Sequence, residues 1–192
     1  MEAFSDGVIA ILITIMVLEL PKPSGPHLTD LKHVWPVLFS YVLSFAFLGI
    51  YWNNHHHMLR ATERINGTIL WANLHLLFWL SLFPFATKWM GENHFAQTPT
   101  IAYGVIALCA GVAYFILQTL IVIEQGPDSA LARALGHDFK GKASPVIYIA
   151  GIALGFVNRW LALAAYIVVA VMWFIPDRRL EPRPTTNEMM GT

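Results

Sequence analysis

Charge is scarce in this chain of 192 residues: Lys, Arg, Asp and Glu make up 12% of it, and twelve basic side chains balance twelve acidic ones. No run of Lys or Arg occurs, so nothing recommends nucleic acid as a partner. Cysteine is almost missing. Cys109 stands alone inside an apolar run, which excludes an intrachain disulfide and any cysteine-based metal motif and leaves a small packed or lipid-facing side chain. The N-terminus shows neither a basic n-region nor a small-residue cleavage site, which argues against a removable signal peptide. There is also no convincing internal repeat, so symmetry in a functional form has to come from oligomerisation.

What the chain has instead is apolar length. Hydrophobic residues form 56% of it and the mean hydropathy is +0.55, too apolar for a soluble globule of this size. An all-α integral membrane protein is the expectation. A hydrocarbon core of about 30 Å takes roughly 20 apolar residues per helix, and six segments come close: 4–20, 34–55, 65–88, 98–123, 143–157 and 160–176. Residues 1–176 thus read as a six-helix transmembrane domain. Residues 177–192, with Pro182 and Pro184, read as a disordered cytoplasmic tail. The last two segments are short and separated only by Asn158-Arg159, which predicts a tight hairpin of thin spans or, as the alternative, a re-entrant pair.

Basic residues give the orientation. With the N-terminus inside, Arg60, Arg64, Arg133, Lys140, Lys142, Arg178, Arg179 and Arg183 fall on the inner side, and Lys22, Lys32, Lys88 and Arg159 on the outer. Eight against four favours both termini in the cytoplasm. Pro21-Lys-Pro-Ser-Gly-Pro26 is a stiff outer loop, and Pro36, Pro99 and Pro145 are expected near helix starts, where a missing N–H costs little. The polar connection 125–142 is expected inside, partly helical on the membrane surface.

The first segment carries the most information. Phe4-Ser5-Asp6 opens it, and at about 100° per residue Phe4, Gly7, Ile11, Thr14 and Leu18 share one stripe, spaced three and four apart. Such a seam lets copies of one helix meet around an axis, and it equally fits ordinary helix packing. Ser5 and Asp6 point away from it. A carboxylate at the membrane boundary needs a partner; Asp6 finds one either as an N-cap or in a network with polar groups at the inner ends of other spans. Those groups are Trp52-Asn53-Asn54-His55-His56-His57 and Asn73. The three adjacent histidines invite a metal or haem reading, but neighbours on a helix diverge by about 100° and do not converge on one ion, so no metal ligand is assigned. His75 is expected to be a satisfied structural histidine. Glu19, just beyond Leu18, is either a cation-attracting carboxylate at a pore mouth or a solvated loop charge.

Phe4-Ser5-Asp6 at the head of the first span, Trp52-x-x-His55 at the end of the second, and Leu70-Trp-Ala-Asn73-Leu with Leu82-Phe-Pro84-Phe in the third together resemble the prokaryotic branch of the transmembrane protein 175 family. Members of that family are potassium channels. The resemblance implies a homotetramer in a prokaryotic plasma membrane, with the first helix of each subunit lining a central pore and potassium as the permeant ion without any cofactor. Such channels lack the Thr-Val-Gly-Tyr-Gly filter of ordinary potassium channels, and no such run occurs here. The resemblance implies a constricting aliphatic ring at Ile11, a pore-facing threonine at Thr14 and a second aliphatic ring at Leu18. In the family an arginine stands four residues before the phenylalanine, a position that here would precede Met1: either the sequence begins one residue short of it or this member lacks it, and in the second case Asp6 is expected to lean more on His55. A proton-coupled transporter using Asp6 and His55, a haem-binding oxidoreductase built on the histidines and a purely structural scaffold are the competing expectations.

Overall fold

Pro84 divides the third apolar segment. It has no N–H to offer the carbonyl of Leu80, and its ring crowds that carbonyl, so the helix opened by Gly67 ends at Ser81 and a new one starts at Phe83 with the proline in its first turn. The computed structural model describes residues 1–126, 129, 132 and 139–174. Among these it contains seven α-helices and no strand: α1 (Glu2–Leu18), α2 (Leu31–Arg60), α3 (Gly67–Ser81), α4 (Phe83–Glu92), α5 (Gln97–Gln125), α6 (Phe139–Gly155) and α7 (Arg159–Phe174). The tail 177–192 and most of the connection 125–142 lie outside the described residues.

Among the described residues three helical runs are long and apolar enough to cross a membrane: Trp35–Arg60, Gly67–Glu92, which joins α3 to α4, and Gln97–Gln125. The remaining helices α1, α6 and α7 have 17, 17 and 16 residues. At 1.5 Å per residue they measure about 24–26 Å, a few ångströms less than a hydrocarbon core. α6 and α7 pack against each other as a hairpin turned at Asn158, whose side chain accepts from the Trp160 N–H at 2.9 Å. Two expectations about proline need correction. α2 starts at Leu31 and α6 at Phe139, so Pro36 and Pro145 lie inside helices and not at their starts. α2 also runs to Arg60, past the expected end at residue 55, so all three adjacent histidines are helical.

α5 is the central helix, in contact with α3, α4, α6 and α7. Its buried face uses small residues, Gly104, Ala107, Ala110 and Ala113, which let neighbouring backbones approach closely. Larger rings fill the space between helices: Phe83 lies 5.6 Å from Tyr103 and 6.3 Å from Phe47, edge-on and tilted respectively. Burying hydroxyls in such a core requires partners. The Thr87 hydroxyl lies 2.6 Å from that of Ser44, which in turn is 3.0 Å from the Tyr103 hydroxyl, so α4, α2 and α5 are joined by one polar chain. α1 packs on α2, α3 and α4 through Ser5, Ile9, Leu12 and Met16, one every three or four residues.

The tightest approach is between α5 and α7, where a Cβ on Gly104 would lie 1.9 Å from the Tyr166 hydroxyl. Gly104→Ala is therefore expected to cost about 1–3 kcal/mol through overpacking, read as a lowered midpoint of thermal unfolding in detergent. A midpoint equal to that of the unmodified chain would mean that α5 and α7 are not held at this distance.

Candidate functional site

α1 has two unlike faces. Ser5 and Ile9 are fully buried and Leu12 and Met16 nearly so, whereas Ala3, Phe4, Gly7, Ala10, Ile11, Thr14 and Leu18 are exposed on the other side. Phe4, Ile11 and Leu18 leave 59%, 58% and 82% of their surface uncovered, which makes the stripe Phe4, Gly7, Ile11, Thr14, Leu18 the open side of the helix. Thr14 donates its hydroxyl hydrogen to the carbonyl of Ile11, at 2.9 Å. With that donor engaged inside the helix, only oxygen lone pairs face outward.

The buried face of α1 ends in a polar relay. His55 Nε2–H donates to Asn73 Oδ1 at 2.7 Å, and Asn73 Nδ2 donates to Ser5 Oγ at 2.9 Å. Three helices meet there: His55 comes from the last turns of α2, Asn73 from the second turn of α3 and Ser5 from the first turn of α1. All three side chains are at most 2% exposed. Local capping sets the height of Asn73, since the Asn66 side chain accepts from the Ile69 N–H at 2.9 Å and so fixes where α3 begins.

Asp6 does not join this relay. α1 already starts at Glu2, with Met1 preceding it and no side-chain cap, so Asp6 sits in the second turn and is not an N-cap. Its Oδ2 lies 3.5 Å from His56 Nδ1, and the same nitrogen is 3.2 Å from Glu2 Oε1. Arg60 Nε stands 3.4 Å from that Glu2 oxygen. The expected dependence of Asp6 on His55 is thus corrected: the neighbouring histidine takes that place, and a serine fills the position foreseen for the aspartate. The Trp52 ring stacks on His56, 5.6 Å between centroids.

The three histidines diverge, with His55 buried, His56 half-buried and His57 exposed. Glu19 is half-exposed and ion-paired with Lys88 of α4. His75 accepts from Trp79 Nε1–H at 2.9 Å, and Cys109 is half-buried in α5. Glu2 and Arg60 were not foreseen as site residues, and His56 was foreseen only as one of the polar groups at the inner end of the second span, although two signals carried them: Glu2 and Asp6 are four apart, as are His56 and Arg60, so each pair shares one helix face.

Residues 1–84 match the family model described as endosomal/lysosomal potassium channel TMEM175. Over 181 residues the chain is 49% identical to a potassium channel of Chryseobacterium sp., covering 94% of both proteins. The chain belongs to the TMEM175 family. It is also 29% identical over 187 residues to a potassium channel of Streptomyces collinus, covering 90% of this chain and 89% of that protein. Its fold matches the crystal structure of a lysosomal potassium-selective channel TMEM175 homolog from Chamaesiphon minutus with a TM-score of 0.78 at 26% identity, covering 92% of this chain and 95% of that one. The family is one of ion channels and not of enzymes, and it implies no cofactor, which sets the haem oxidoreductase aside.

Asn73 touches both other members of the relay, so Asn73→Ala strands a buried imidazole N–H and a buried hydroxyl at once. The expected loss is about 1–3 kcal/mol, measured by thermal unfolding of the solubilised protein. Ser5→Ala keeps the His55 to Asn73 bond and is expected to lose less. Equal stability of Asn73→Ala and the unmodified chain would remove the relay as the anchor of α1.

Proposed function

We propose that this protein is a potassium channel of the bacterial plasma membrane, in which four parallel copies of α1 surround a central pore. The carrying observation is the uncovered stripe of α1, read together with the family to which the chain belongs. A seam that holds Thr14 and Gly7 among large apolar residues fits helix packing as well as a shared axis, and the family favours the axis. Around an axis both residues have a purpose, the glycine for close approach and the threonine as a row of oxygens. The six apolar segments of each subunit, with both termini in the cytoplasm, complete this reading.

Ile11 and Leu18 then form two apolar rings on either side of the Thr14 ring. A ring of branched aliphatic side chains closes by emptying of water, because a narrow apolar passage does not hold a hydrated ion. Opening widens the rings enough for an ion that keeps part of its hydration shell. Sodium is smaller and holds its water more strongly than potassium, so partial dehydration costs it more, and the Thr14 oxygens replace part of what is lost. The selectivity produced this way is modest.

The test is potassium flux from proteoliposomes holding the purified protein. Ile11→Ser is expected to raise flux several-fold and to lower the preference for potassium over sodium. Unchanged flux and selectivity would remove Ile11 from the gate. Saturable, pH-driven flux without single-channel steps would replace the channel by a proton-coupled transporter, and no flux at all would leave a structural role.

A further inference from the structure

Beyond the pore stripe and the buried relay lies a third group of polar side chains, Glu2 and Asp6 on α1 and His56 on α2. Their ligand atoms, two carboxylate oxygens and an imidazole nitrogen, all lie within 4.8 Å of one another. His56 Nδ1 sits 3.2 Å from the Glu2 oxygen and 3.5 Å from the Asp6 oxygen. Neither contact is aligned as a hydrogen bond, so His56 Nδ1, closed to solvent, has no hydrogen-bond partner; the same holds for Oδ1, the Asp6 oxygen that is not in the 3.5 Å contact. A buried polar atom in that condition costs free energy.

The spacing has a second meaning. Nitrogen and oxygen ligands bind zinc at about 2.0–2.2 Å, so two of them on one tetrahedral ion lie roughly 3.4 Å apart. Both nitrogen to oxygen separations here fall at that value. We propose that Glu2, Asp6 and His56 bind one divalent transition-metal ion, zinc fitting best, and that the ion fastens the first turns of α1 to the last turns of α2. One imidazole with two carboxylates suits zinc and its neighbours better than magnesium, which keeps its water and prefers oxygen alone. The fourth position opens to water, since Glu2 and Asp6 are 40% and 30% exposed. Stacking on Trp52 holds the His56 ring in place, as an outer partner of a ligand does. Arg60 competes for the Glu2 oxygen, but its side chain is 69% exposed and free to turn into solvent.

The proposal does not rest on the channel reading, because its readout is binding and not flux. Zinc chloride is titrated by calorimetry into the full chain in detergent, with any affinity tag removed and metal stripped by chelator. The expected result is one zinc per chain and a thermal midpoint that rises with zinc, as any ligand of the folded state produces, while magnesium does neither. Glu2→Gln and His56→Gln, both outside the buried relay, are each expected to weaken binding by more than about tenfold, the scale at which even outer partners of a metal act. His57→Gln, on the exposed neighbour, is expected to leave binding unchanged. Affinity retained in Glu2→Gln and His56→Gln, equal loss in His57→Gln, or no zinc binding by the unmodified chain overturns the site. Cobalt provides a reading that needs no variant: visible bands of a tetrahedral nitrogen and oxygen site support it, and a six-coordinate spectrum overturns it.

Discussion

The rotation of α1 about its own axis is the constraint on which the candidate site depends. An apolar helix packed on apolar neighbours slides and turns easily, because one aliphatic contact substitutes for another at little cost. A hydrogen bond between buried groups does not allow that freedom. With Ser5 held by Asn73 and Asn73 held by His55, a turn of one residue would carry the serine away by about 100° and leave two buried polar groups unpaired. Fixing Ser5 inward fixes Phe4, Gly7, Ile11, Thr14 and Leu18 outward. The lower end of the helix is thus located by polar geometry and its middle by Ile9, Leu12 and Met16.

At the other end of α1 the hold is of another kind. Glu19 pairs with Lys88 of α4, a partly exposed contact that water and salt weaken. The two ends of the helix are therefore tied with different strength. One end is secured by desolvated hydrogen bonds among three helices, and the other by a single surface ion pair. A movement of the Glu19 end of α1 away from α4 that leaves Ser5 in place breaks this ion pair and not the relay. The buried chain of hydroxyls from Thr87 through Ser44 to Tyr103 keeps α2, α4 and α5 together while that happens.

Much of this was legible in the residues. Apolar length and sparse charge announced membrane helices, and three and four spacing separated Phe4, Gly7, Ile11, Thr14 and Leu18 from the buried side of α1. Family motifs pointed to Ser5, His55 and Asn73. The errors share a physical cause: they concern which of two adjacent polar residues takes a given partner. Asp6 and Ser5 differ by one step on the helix, as do His55 and His56, and a wheel of about 100° per residue places a side chain on a face without saying how far it reaches. Ser5 is short and lies deep, so it suits the buried amide; Asp6 is charged and stays at the half-exposed edge with His56. The prolines misled for a related reason. Pro84 stops a helix because the carbonyl before it must go elsewhere, whereas Pro36 and Pro145 are carried within helices that started earlier, at residues whose polarity gave no sign of helix.

Thr14 repeats, on the open face, a choice made in the buried core. Its hydrogen is committed to the Ile11 carbonyl, as the Ser40 hydrogen is to that of Val37. A hydroxyl free to rotate would offer a passing cation its positive end as readily as its negative one, and each encounter would begin with a reorientation. A hydroxyl bound to its own helix has already made that choice. Four of them around an axis would form a ring of fixed polarity whose entropy of ordering was lost when the helix folded, not when the ion arrived.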